Sequence, residues 1–105
     1  MRPLHSALLA TLLSLSALAP ASAQSSDARY LAANCANCHG TDGRAAGGAG
    51  MPGLAGLSAA YIIEQINALR NGSRQATIMH QLAKGYTDTQ IVAMAQYFAA
   101  QKADK

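Results

Sequence analysis

The chain has 105 residues, a formal net charge of +3, two cysteines, one phenylalanine and no tryptophan. That length bounds it to one small domain, near the size at which side chains alone make a thin core and staples or cofactors help. Two cysteines exclude a disulfide-dense scaffold, and scattered charges with no basic cluster or interleaved aromatics exclude the usual footprint of nucleic-acid binding.

At the start, Met1-Arg2-Pro3 carries a positive charge, Leu4 to Leu18 is dominated by Leu and Ala, and Ala21-Ser22-Ala23 places small residues at −3 and −1 before Gln24. This is the plan of a secretory signal peptide. A membrane anchor is disfavoured by His5 and by the serines and threonines in the span, which also falls short of the ~20 residues a spanning helix needs. We therefore expect a signal peptide over 1–23 and a mature domain over 24–105, exported to a bacterial periplasm with no stable membrane span afterwards.

Ser25-Ser26-Asp27 offers N-caps for a first helix from about Ala28 to Asn34. It runs into Cys35-Ala36-Asn37-Cys38-His39-Gly40, a CxxCH pattern, which reads as an attachment site for a c-type haem. If the run continues as helix, positions i, i+3 and i+4 share a face, presenting two sulfurs to the vinyl edges of a haem and one imidazole to its iron. A thiol redox pair is the first alternative, but CxxC of that kind belongs to a βαβ context, and no strand pattern is visible. Zinc is the second, and it needs a fourth ligand.

From Gly40 to Leu57 seven glycines and Pro52 leave no periodicity. The apolar insertions Met51, Leu54 and Leu57 argue for a packed loop whose glycines let backbone approach a flat cofactor. Ser58 then caps a second helix with Ile62, Ile66 and Leu69 on one face and Asn71-Gly72 at its end. Ala76 to Lys84 predicts a shorter third helix. Thr87 and Gln90 fit a capping box ahead of a last helix, Ile91 to about Gln101, with Ile91, Met94, Ala95 and Phe98 on its buried face. The reading is all-α: four or five short helices around one covalently bound haem.

His39 is the first candidate iron ligand. For the second the chain offers Met51, Met79, Met94 and His80. Met94 reads as core, and the loop of Met51 is expected on the His39 side. Met79 and His80 are neighbours, so one turn presents only one of them well, and spacing leaves both open.

The whole mature chain resembles a small class I bacterial cytochrome c. The resemblance is carried by the CxxCH run, by Met51-Pro52-Gly53-Leu54-Ala55-Gly56 followed by Tyr61, by Gly72-Ser73-Arg74, by Met79, and by Ala95-Gln96-Tyr97-Phe98-Ala99 in the last helix. The stretch Thr77 to Tyr86 is similar to the monohaem cytochrome subunit of flavocytochrome c sulfide dehydrogenase. The resemblance implies that Cys35 and Cys38 form the haem thioethers, that His39 is the proximal ligand and that Met79 is the distal one. A Gly-Pro common in the family is replaced by Met51-Pro52, which leaves open the carbonyl that receives the His39 ring N–H.

The function expected is single-electron transfer without bond chemistry of its own. Ile62, Ile66, Leu69, Leu82, Ile91 and Phe98 are the expected haem walls, and Tyr61 and Arg74 the candidate propionate partners. The resemblance further implies an FAD-binding sulfide dehydrogenase subunit as electron donor and another cytochrome as acceptor, with the loop surface near Met51 and Leu54 toward the partner. The alternatives are a free periplasmic shuttle and a gas-binding haem sensor. Carbon monoxide binding to the reduced protein would mark the sensor.

Overall fold

The computed structural model describes residues 21–45 and 50–103, and among these it contains four α-helices and no strand. They are α1 (Ala21–His39), α2 (Ala59–Asn71), α3 (Met79–Ala83) and α4 (Asp88–Ala99). The signal peptide expected over residues 1–23 lies outside the described residues, except for its last three, which open α1.

α1 is longer than its caps suggest. No Gly or Pro lies between Pro20 and Gly40, so nothing in the sequence stops the helix, and Ser25, Ser26 and Asp27 fall inside it. Cys35, Cys38 and His39 accordingly occupy its last turns, at helical spacing. Ala28 and Ala32 are buried, and these small side chains let α1 and α4 pack together. Gly40 ends the helix at φ 85° and ψ 160°, where a Cβ would lie 1.8 Å from the Arg44 carbonyl oxygen.

Among its described residues the glycine-rich stretch contains one 3-10 turn, Thr41–Gly43, that sequence periodicity did not reveal. Its most connected atom is the Gly43 carbonyl oxygen, which accepts from Leu54 N–H at 2.8 Å and Ala55 N–H at 3.2 Å. Two residues on, Gly56 N–H donates to the Phe98 carbonyl at 2.9 Å. A Cβ on Gly43 would stand 2.8 Å from both Ala55 N and the Phe98 ring. The glycine there serves close packing of the loop on α4, where the sequence suggested approach to a cofactor.

α2 begins as expected, with Ser58 Oγ accepting from Tyr61 N–H at 3.2 Å, and ends at Gly72 in the left-handed conformation. α3 is shorter than Ala76 to Lys84. Thr77 and Ile78 are β-branched and weak helix formers, no side chain caps the turn, and Ile78 sits at φ −137°. The capping box of α4 is complete: Gln90 N–H donates to Thr87 Oγ1, and Thr87 N–H to Gln90 Oε1. The helix opens at Asp88 and closes at Ala99, two residues short of the expected Gln101. Ile91, Met94, Ala95 and Phe98 are buried as its pattern requires, in a core with Ala32 and Ile62.

Candidate functional site

An apolar cleft of about 290 Å³ opens between the end of α1, the loop after it, α2 and α3. Cys35, Cys38 and His39 line one part of it; Met51, Pro52 and Leu54 come from the loop. Ile62, Ile66 and Leu69 come from α2, and Ile78, Met79 and Leu82 from the segment that becomes α3. Met94 and Phe98 of α4 close the base. Of the expected walls only Ile91 is absent; it packs wholly within the helix core.

His39 is 6 % exposed, and its Nδ1 lies 2.8 Å from the Pro52 carbonyl oxygen. A carbonyl only accepts, so Nδ1 carries a proton, and in the neutral ring Nε2 is then the acceptor. That Nε2 is buried and has no hydrogen-bond partner. An unsatisfied buried polar atom costs about 1–3 kcal/mol, and a neutral imidazole with its second nitrogen held by a carbonyl is the ordinary form of a metal-ligating histidine. The residues therefore fit an iron at Nε2. The carbonyl left open by the sequence is that of Pro52.

Cys35 is half-buried and Cys38 exposed, and neither is in a disulfide. Burial, and after it the proximity of Cys38, pushes the Cys35 thiol above its usual range. Among the described residues no group of three or more His, Cys, Asp and Glu side chains gathers as a metal cluster, so the zinc alternative lacks its ligand set. Two thiols and an imidazole at an apolar cleft fit covalent haem attachment.

The four candidates for the second ligand separate by position. Met79, at the start of α3, lines the cleft; His80 does not, although its Nδ1 is also buried without a partner. Met94 is 2 % exposed and packs in the core as well as at the cleft base. Met51 adjoins Pro52, whose carbonyl holds the ring edge of His39 opposite to Nε2, so Met51 belongs to the His39 side. Arg74 and Tyr61 both reach the cleft, and Arg74 Nη1 donates to Gln65 Oε1 at 2.7 Å.

Some of the site's support carried no sequence signal. The Tyr97 hydroxyl donates to Asp42 Oδ1, across 55 residues, and Arg44 Nε donates to the Lys102 carbonyl at 3.0 Å. Both join the turn after His39 to the end of α4. Neither follows from helical periodicity.

Among the described residues no helix is long and apolar enough to cross a membrane. The family model described as Cytochrome c matches residues 26–102. A search of curated proteins finds no significant match. Among solved structures, the chain is similar to a thiosulfate dehydrogenase from Marichromatium purpuratum, in its as-isolated form, at 32% identity and a TM-score of 0.68. The likeness covers 74% of this chain but 19% of that one, so the chain spans about a fifth of the length of the structure it matches. A family match over most of the described fold, on a chain whose CxxCH histidine lines an apolar cleft and keeps a buried Nε2 without a partner, settles the family: the chain belongs to the cytochrome c family, and is an all-α electron-transfer domain with covalently bound haem c.

Proposed function

We propose that this chain is the monohaem, electron-accepting subunit of a flavocytochrome-type sulfide dehydrogenase, taking electrons from an FAD-binding subunit and passing them to another cytochrome in the periplasm. The observation that carries its one-electron role is that His39 Nε2 and Met79 belong to one apolar cleft. When bound, haem c supplies a one-electron iron couple. Cys35 and Cys38 would tether it and His39 would ligate its iron, while the Pro52 carbonyl holds the imidazole and would raise its basicity. Met79 is the second ligand in this reading. Its soft thioether favours reduced iron, and the apolar walls disfavour the added charge of the oxidised form, so both act toward a raised potential. If His39 and Met79 both held the iron, the chain would leave it no open position for substrate, and substrate chemistry would fall to the partner.

The sulfide-oxidising partner is supported by the likeness of Thr77 to Tyr86 to the flavocytochrome subunit. The thiosulfate dehydrogenase neighbour favours a second reading, in which the electrons come from a thiosulfate-oxidising enzyme. Both readings make a reduced sulfur compound the electron source. Affinity capture of the native chain, with a flavin spectrum on the eluate, tests them: co-purified flavoprotein with sulfide-dependent haem reduction supports the first. Thiosulfate-dependent reduction without flavin supports the second, and purification alone supports a free shuttle. The ligand is tested separately. Met79→Ala abolishes the weak near-infrared band of sulfur ligation in the oxidised protein; retention of that band moves the ligand to Met51 or Met94. Intact mass of the exported chain checks processing before Gln24.

A further inference from the structure

The acceptor that holds His39 has no regular structure of its own. Pro52 lies in the loop, and the atoms nearest to it in sequence that are tied down are Leu54 N and Ala55 N, both on the Gly43 carbonyl, and Gly56 N on Phe98. The direction of the Gly43 carbonyl depends in turn on Asp42, which stands at φ 54° and ψ 24°, the left-handed region that an ordinary side chain avoids. Asp42 is held there from outside the turn: its Oδ1 accepts from the Tyr97 hydroxyl and its Oδ2 lies 3.6 Å from Arg44 Nη1. The ring of Tyr97 sits edge-on to Phe98, 5.6 Å between centroids, and Phe98 is 2 % exposed, so the phenol stands on a fixed base.

We infer that Tyr97 is a positioning residue for the iron ligand His39, acting through Asp42 and the Gly43 carbonyl on the loop that carries the Pro52 acceptor. This rests on the reading of His39 as an iron ligand. Loss of the Tyr97 hydroxyl frees Asp42 to leave the left-handed region. The Gly43 carbonyl turns, the loop from Pro52 to Ala55 loses its fixed register, and the Nδ1–H to Pro52 bond weakens. A less strongly held Nδ1 proton makes a less basic imidazole, which stabilises oxidised iron less.

The test uses the haem-loaded protein and two readouts: the midpoint potential, and hydrogen exchange of the His39 Nδ1 proton by NMR in the reduced state. Tyr97→Phe is expected to raise the potential and to speed that exchange severalfold while the near-infrared sulfur band stays. Asp42→Ala is expected to do the same, and Asp42→Asn, which keeps an oxygen acceptor and tolerates the left-handed region, to stay near wild type. Val92→Ala, on the exposed side of α4, is expected to leave both readouts unchanged. Wild-type potential and exchange in Tyr97→Phe would overturn the linkage. If that variant does not mature, identical behaviour of Asp42→Ala and Asp42→Asn overturns it instead. A wild-type His39 ring signal without the displacement expected beside a haem removes His39 from the iron and overturns the ligand reading as well.

Discussion

Asp42 and Tyr97 show how much one side-chain bond organises at the residue scale. The hydrogen bond to Asp42 raises the Tyr97 pKa above the usual 10.0; partial burial and the charge of Asp42 add to it, against weaker opposing effects of Arg29 and Arg44. Folding thus favours the protonated phenol. The stabilisation is complete below the ordinary tyrosine value and is lost as pH rises through the higher folded value. Tyr97→Phe should therefore cost about 1 kcal/mol at neutral pH, the worth of an ordinary hydrogen bond. The stability gap to wild type, read from urea titrations, should stay constant up to pH ~10 and close above it. Gly43 is the second sensitive position. Gly43→Ala meets Ala55 N and the Phe98 ring and must hold φ 78°, and backbone strain of this kind costs about 1–3 kcal/mol. A lower midpoint in thermal melts of the loaded protein checks it. Cys35, Cys38 and His39 were legible because covalent chemistry demands adjacent residues. The Pro52 carbonyl was not, because the path of its loop is set by Gly43 and Phe98, which lie far from it in sequence.

At the scale of elements, helix ends were legible where a side chain does the capping. Thr87 with Gln90, Ser58 and Gly72 each stop or start a helix by a local bond or a local φ, so sequence neighbours suffice to find them. Thr87→Ala is expected to cost about 1 kcal/mol and Thr87→Ser much less, by chemical denaturation. α1 was misjudged for the converse reason: Ser25 and Asp27 are good caps that the helix has no need to use. α3 was overextended at its start because Ala76 and Thr77 precede Ile78, whose backbone leaves helical geometry. Between α2 and α4, Arg70 donates to Asn67 Oδ1 at 2.7 Å and to Asp88 Oδ1, and to the Tyr86 carbonyl at 3.3 Å. That one guanidinium ties the end of one helix to the start of another, a link that charge spacing alone did not suggest.

For the whole molecule the small core is decisive. Among the described residues, four of the nine buried hydrophobic ones are alanines: Ala28, Ala32, Ala83 and Ala95. Larger side chains turn toward the cleft instead, where Leu82 and Ile78 are 47% and 54% exposed. A domain arranged in this way depends on the apolar bulk that its cleft receives. The double variant Cys35→Ser, Cys38→Ser, isolated without haem, is expected to lose most helical circular dichroism and to melt without a cooperative transition. A sharp melt at wild-type temperature would show that the polypeptide core suffices. The all-α class could be read from the sequence because amphipathic periodicity reports burial; the inward or cleftward facing of each apolar residue could not, since both look alike in a hydropathy pattern.

α1 and α4, the first and last helices, are packing partners. The two bonds that pin the turn after His39, Tyr97 to Asp42 and Arg44 to the Lys102 carbonyl, both take their second partner from α4 or the residues just past it. The surroundings of the two thiols and His39 are therefore complete only when the C-terminal end of the described chain is in place, and a truncation that removes α4 takes away the clamp together with the packing partner of α1.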